Sequence, residues 1–201
     1  MNWKTFRSAI LAGICIGIAG FGYLAIGGVA GAVFFAFGLL AVINYKFKLY
    51  TGTAGFFKKG EFCAMLLILA GNIVGTLLVA LLSRASAMPI QESAQKLLEA
   101  RLANGILRSG ALAIGCGFIM TTIVKFARKG QWLPLLFGIP MFIICGFPHS
   151  IADAFYYWAA PFSFLGSHLL QVLALYISIV VGNFIGCNIT RFVIPGIDEE
   201  V

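Results

Sequence analysis

Six runs of apolar residues, at roughly 8–27, 29–50, 61–82, 103–124, 132–158 and 168–190, occupy most of this chain. Each reaches the length of about 20 residues that a helix needs to cross a bilayer. Backbone polar groups in lipid must be satisfied internally, so unbroken apolar runs of this length point to α-helices. Composition agrees: 61% of the 201 residues are hydrophobic and 10% charged, against about 45–50% and about 25% in soluble proteins. The chain lacks the charge that a water-facing surface requires, and its mean hydropathy is +0.99. Little sequence remains between the runs, which excludes a sizeable domain outside the membrane and, with it, most nucleotide-driven pumps. Lys4 and Arg7 precede the first run as they would in a signal peptide. Its apolar stretch is too long for one, so the expectation is a retained span. Residues 1–201 read as a single all-α integral membrane domain.

Fourteen Lys and Arg stand against seven Asp and Glu, a net charge of +7. In a membrane protein such an excess belongs to cytoplasmic loops rather than to a nucleic-acid partner, and none is expected. Lys4, Arg7, Lys46, Lys48, Lys58, Lys59, Lys125, Arg128, Lys129 and Arg191 fall on one side of the runs. Arg84, Lys96, Arg101 and Arg108 fall on the other. Both termini are therefore expected in the cytoplasm. The long outer connection, 83–102, has a helix-forming composition after Met88-Pro89, and a short amphipathic helix lying at the membrane interface is expected there. Cys15, Cys63, Cys116, Cys145 and Cys187 are scattered through apolar runs with no Cys-x-x-Cys pair. No metal, cofactor or redox role is expected of them.

The chain repeats itself. Gly71-Asn72-Ile73-Val74-Gly75 in the third run is matched by Gly182-Asn183-Phe184-Ile185-Gly186 in the sixth. In the first and fourth, Ile10-Leu11 ahead of Gly20-Phe21 pairs with Ile106-Leu107 ahead of Gly117-Phe118. Three runs per half, an odd number, make the halves inverted repeats, with boundaries expected at about 7–82 and 103–192. Such repeats place a permeation site where a broken helix from each half meets the other. The second run, ending in Leu49-Tyr50-Thr51-Gly52-Thr53-Ala54-Gly55, and the fifth, interrupted by Gly146-Phe147-Pro148-His149-Ser150, are the ones expected to break. Proline removes a backbone donor and glycine loosens the turn. His149 is an ionisable group at membrane depth, which is costly unless used, and an imidazole can accept and return a proton. Arg108 lies about 8 Å down the fourth run at about 1.5 Å per residue, and Asp153 sits at a similar depth in the fifth. The two are expected to form a buried ion pair.

In these motifs the chain resembles the formate/nitrite transporter family. Gly146-Phe147-Pro148-His149-Ser150-Ile151-Ala152-Asp153 is similar to that family's Gly-Phe-Glu-His-Ser-x-Ala-Asn, and Leu49-Tyr50-Thr51-Gly52 to its Leu-Phe-Thr-Gly/Ser. The two Gly-Asn-x-x-Gly elements and Gly105-Ile106-Leu107 fit as well. The resemblance implies an aquaporin-like fold, a homopentamer with one pore per protomer, and passage of small monovalent anions such as formate, nitrite, lactate or hydrosulfide. It implies that His149 is the central pore histidine, Thr51 its partner, and Ser109 the pore residue where the family has asparagine. Phe35, Leu39 and Leu49 would form the apolar constriction with Leu112 and Phe142, and Lys96 loosely matches an anion-attracting lysine. Pro148, Asp153 and Ser109 depart from the family pattern.

The reading is thus a channel or transporter for a small weak-acid anion in the cell's inner membrane, proton-linked through His149. A channel for a neutral solute or ammonia is the alternative, though no Asn-Pro pair occurs anywhere. A membrane enzyme would need paired carboxylates, a metal cluster or a nucleophile with its base, and the runs hold only His149 and Asp153.

Overall fold

The computed structural model describes residues 2–58 and 60–195; Lys59, counted above among the basic connections, lies outside them. In chain order the helices are α1 (Trp3–Ile26), α2 (Gly28–Asn44), α3 (Tyr50–Thr53), α4 (Phe62–Ser83), α5 (Ile90–Asn104), α6 (Ile106–Arg128), α7 (Leu133–Ile144), α8 (Ser150–Ala159), α9 (Phe162–Ser167) and α10 (Leu169–Val193). α1, α4, α6 and α10 are long and apolar enough to cross a membrane. The second and fifth runs are each split, into α2 with α3 and α7 with α8.

Both breaks close in the same way. The Phe47 amide donates to the Val42 carbonyl and the Phe147 amide to the Phe142 carbonyl, each at 2.9 Å. Ahead of each donor stands a residue with positive φ, Lys46 at 56° and Gly146 at 70°. This wrapped carbonyl is the Schellman ending of a helix. Glycine accepts the left-handed backbone at no cost, whereas Lys46 bears a penalty of roughly 1–2 kcal/mol. The first break therefore lies before the Leu-Tyr-Thr-Gly stretch, not within it. Tyr50, Thr51, Gly52 and Thr53 form the half-helix α3 rather than ending α2.

Glycines set the packing of the long helices. A Cβ on Gly75 would strike the Ile10 carbonyl oxygen, and one on Gly186 the Ile114 carbonyl oxygen. Likewise Gly13 lies against the Asn72 carbonyl and Gly117 against the Asn183 carbonyl. α1 on α4 thus repeats α6 on α10, and Gly117 occupies the place of Gly13. The pairing of Gly117 with Gly20 expected from sequence is displaced by seven residues: the Gly20 Cβ position faces Phe155 instead.

The outer connection forms the expected helix, and one of its faces is buried: in α5, Ile90, Ala94 and Leu98 are 0–1% exposed. These residues fall at i, i+4 and i+8, one helix face, and that face packs on α8 and α1 inside the bundle.

Candidate functional site

Two asparagines hold the broken segments in place. The Asn72 carbonyl oxygen accepts from the Tyr50 amide at 2.8 Å, while its amide donates to the carbonyls of Lys48 (2.9 Å) and Ala9 (2.8 Å). Asn183 does the same in the second half. It accepts from the Ser150 amide at 2.7 Å and donates to the carbonyls of Pro148 (3.0 Å) and Ala113 (2.9 Å). Each side chain joins the residues on either side of a half-helix start to a neighbouring long helix. Backbone groups freed by a break are costly in lipid, and here a buried amide satisfies them.

The half-helices meet at Thr51 and His149, whose Oγ1 and Nε2 are 2.8 Å apart. Both residues are buried. His149 is also the N-cap of α8: its Nδ1 accepts from the Ala152 amide at 3.1 Å. An accepting Nδ1 carries no proton, so the ring proton sits on Nε2 and is donated to Thr51. The Thr51 hydroxyl keeps its own hydrogen. On the ring of His149 lies Phe142, stacked at 5.6 Å between centroids, and Phe35 meets Phe142 edge-on at 6.2 Å.

Two cavities adjoin the half-helices. The larger, about 470 Å³, is lined by Leu39 and Leu49 and by the cations Lys46, Lys48 and Arg128. The Arg128 guanidinium also stands 3.7 Å over the Phe56 ring. The smaller, which the expected orientation puts on the outer side, holds only about 30 Å³ and is lined by Phe142, His149, Arg101, Asp153, Tyr23 and Tyr156. Phe35, Phe142, His149 and Thr51 thus form a chain of contacts, while Leu39 and Leu49 line the larger cavity.

Other expected site residues lie elsewhere. Leu112 is 36% exposed and lines neither cavity, because its neighbours Gly110 and Ala113 are the ones turned into the packing with α10. Ser109 is buried, but its hydroxyl donates to the Arg101 carbonyl and accepts from the Asn104 amide, each at 3.4 Å, fastening α5 to α6. Lys96 is exposed on α5 away from both cavities. The Arg108–Asp153 ion pair does not form. Arg108 is exposed, and Asp153 is held by Arg101, whose Nε lies 3.2 Å from Oδ1. Arg101 Nη1 also donates to the Gly146 carbonyl. Sequence reasoning missed Arg101, although the spacing of Ala94, Leu98 and Arg101 places it on the buried face of α5.

Exchanging Thr51 for valine removes the acceptor for Nε2–H and keeps the volume. One such bond contributes about 0.5–1.5 kcal/mol, so conduction in liposomes should fall by about two- to tenfold. A wild-type rate in Thr51→Val would take the hydroxyl out of the path.

Half-helices from duplicated halves, meeting beside two cavities inside a shell of membrane-length helices, define a membrane channel or transporter. The formate/nitrite transporter profile matches residues 1–195, and the chain belongs to that family. Its fold is similar to that of a solved pentameric formate channel with formate bound, at TM-score 0.78 and 21% identity, covering 95% of this chain and 94% of that one. A second solved structure, an FNT family ion channel, aligns at TM-score 0.67 and 21% identity over 96% of this chain and 90% of its own. The sequence matches no curated protein.

Proposed function

We propose that this protein is a proton-linked channel for a small monovalent weak-acid anion, formate, nitrite or a hydrosulfide-like ion. Each protomer of a homopentamer carries one pore, and the pentamer sits in the cell's inner membrane with both termini cytoplasmic. The observation that carries this reading is the buried Thr51–His149 hydrogen bond between a basic inner cavity and a small outer one. Lys46, Lys48 and Arg128 raise the local anion concentration at the inner mouth. At the centre, Nε2–H of His149 turns from Thr51 to the solute, replacing a hydrogen bond lost with its water. The Phe35–Phe142 pair and Leu39 disfavour a bare charge, so the species that crosses the apolar constriction is neutral. The solved relative that holds formate and is pentameric supports both the substrate class and the assembly.

Purified protein in liposomes tests this directly. Formate, nitrite and hydrosulfide gradients should each dissipate faster than in empty vesicles, while urea does not. Passage of urea or ammonia alone would replace the anion by a neutral solute.

A further inference from the structure

Asp153 and Arg101 both line the outer cavity, and each has one unused hydrogen-bonding atom. Asp153 is fully buried, and its Oδ2 bonds nothing among the described residues. Arg101 uses Nε on Asp153 and Nη1 on the Gly146 carbonyl, and its Nη2 bonds no protein atom among them. The pair therefore offers a cation that donates beside a carboxyl oxygen that either accepts or, once protonated, donates. A small oxoacid is the complement of such a pair, one oxygen for each group. The volume of about 30 Å³ suits two or three heavy atoms, since about 10–15 Å³ accommodates one water.

His149 is poorly placed to supply the crossing proton. Its Nδ1 is committed to the α8 cap, and giving up the Nε2 proton would leave both ring nitrogens bare. Adding a proton at Nδ1 would break the cap and put a cation at a helix N-terminus, where positive charge is unfavourable. Asp153 has no such commitment at Oδ2.

We propose that Arg101 and Asp153 form an outer subsite for small oxoanions, formate and nitrite, and that Asp153 hands the substrate its proton there. The proposal rests on the channel reading above. Outer water protonates Oδ2, and the incoming anion docks one oxygen on Arg101 Nη2. The Oδ2–H bond breaks as an O–H bond forms on the substrate, leaving Asp153 as a carboxylate held by Arg101 and the substrate as a neutral acid. The proton is released with it on the other side, and nothing is oxidised or reduced. The titratable groups facing Asp153 are Arg101 on α5, Tyr23 on α1, Cys116 on α6, Tyr176 on α10, and His149, Tyr156 and Tyr157 on α8 itself. α4, which also packs there, carries only the exposed Cys63 at its far end.

The test uses full-length protein in liposomes loaded with a pH dye. Wild type should acidify the lumen as formate enters, at an initial rate rising up to about tenfold as outer pH falls by about one unit. Lactate and hydrosulfide should enter more slowly than formate and nitrite. Asp153→Asn keeps an acceptor for Arg101 Nε; it should lose both the acidification and the pH response, and its residual formate flux should follow the membrane potential. Asp153→Glu should keep the coupling. Infrared difference spectra of wild type need no variant: adding formate below neutral pH should remove a protonated-carboxyl band. Wild-type coupling in Asp153→Asn, or no such band, overturns the proposal. Failure of wild type to move any of these anions overturns the channel reading as well.

Discussion

Replacing His149 with phenylalanine should reduce formate flux by at least tenfold and destabilise the protein, whereas asparagine at the same position should reduce flux with a smaller loss of stability. The imidazole does two separable things. Nδ1 caps α8, and Nε2 reaches Thr51 across the meeting of the halves. Asparagine supplies a capping oxygen but is too short to span to Thr51, so the fold survives while the central contact is lost. Phenylalanine supplies neither. Loss of the N-cap, which leaves the Ala152 amide without its partner, costs about 0.5–2 kcal/mol; the Thr51 hydroxyl loses its partner in both variants. A barrier raised by about 1.4 kcal/mol slows passage tenfold. Thermal melts in detergent, beside liposome flux, separate the two variants. Equal melting temperatures for both would mean that the cap contributes nothing.

Gly75→Ala and Gly186→Ala should be among the most damaging single-methyl changes, and by similar amounts. In each case the new Cβ meets a backbone carbonyl of the facing long helix, Ile10 or Ile114, which has no rotamer through which to yield. The helices must separate, at about 1–3 kcal/mol for overpacking. Separation also pulls Asn72 from the Ala9 carbonyl, or Asn183 from the Ala113 carbonyl. Gly22→Ala, with nothing within 4 Å of the new methyl, is the control. It should leave stability unchanged or raise it by up to about 1 kcal/mol through helix propensity. Unfolding midpoints decide the matter; a small effect at Gly186 beside a large one at Gly75 would deny the equivalence of the halves.

Much of this architecture is legible in the sequence. Hydropathy reveals which segments meet lipid, and the doubled Gly-Asn-x-x-Gly marks the repeat because a close helix crossing tolerates little else. Breaks in the second and fifth runs followed from Gly146 and Pro148 and from their weaker counterpart in the first half. The details that escaped depend on geometry that residue type does not encode. Lys46 takes a left-handed backbone that glycine would have advertised. α5 reads as an interfacial helix because its composition is polar on average, yet Ile90, Ala94 and Leu98 suffice to bury one face. Asp153 reads as a charge needing a partner, but depth alone cannot choose between Arg108 and Arg101. Register on α5 does so, since only Arg101 continues its buried stripe. Leu112 was assigned by motif, and the packing of α6 on α10 turned it away.

Asn183 takes from residue 148 only a carbonyl oxygen, and Asn72 takes only a carbonyl oxygen from Lys48. Every amino acid has that oxygen. A change of side chain at either position therefore leaves these two hydrogen bonds in place, and the half-helix starts stay anchored whatever residue stands there.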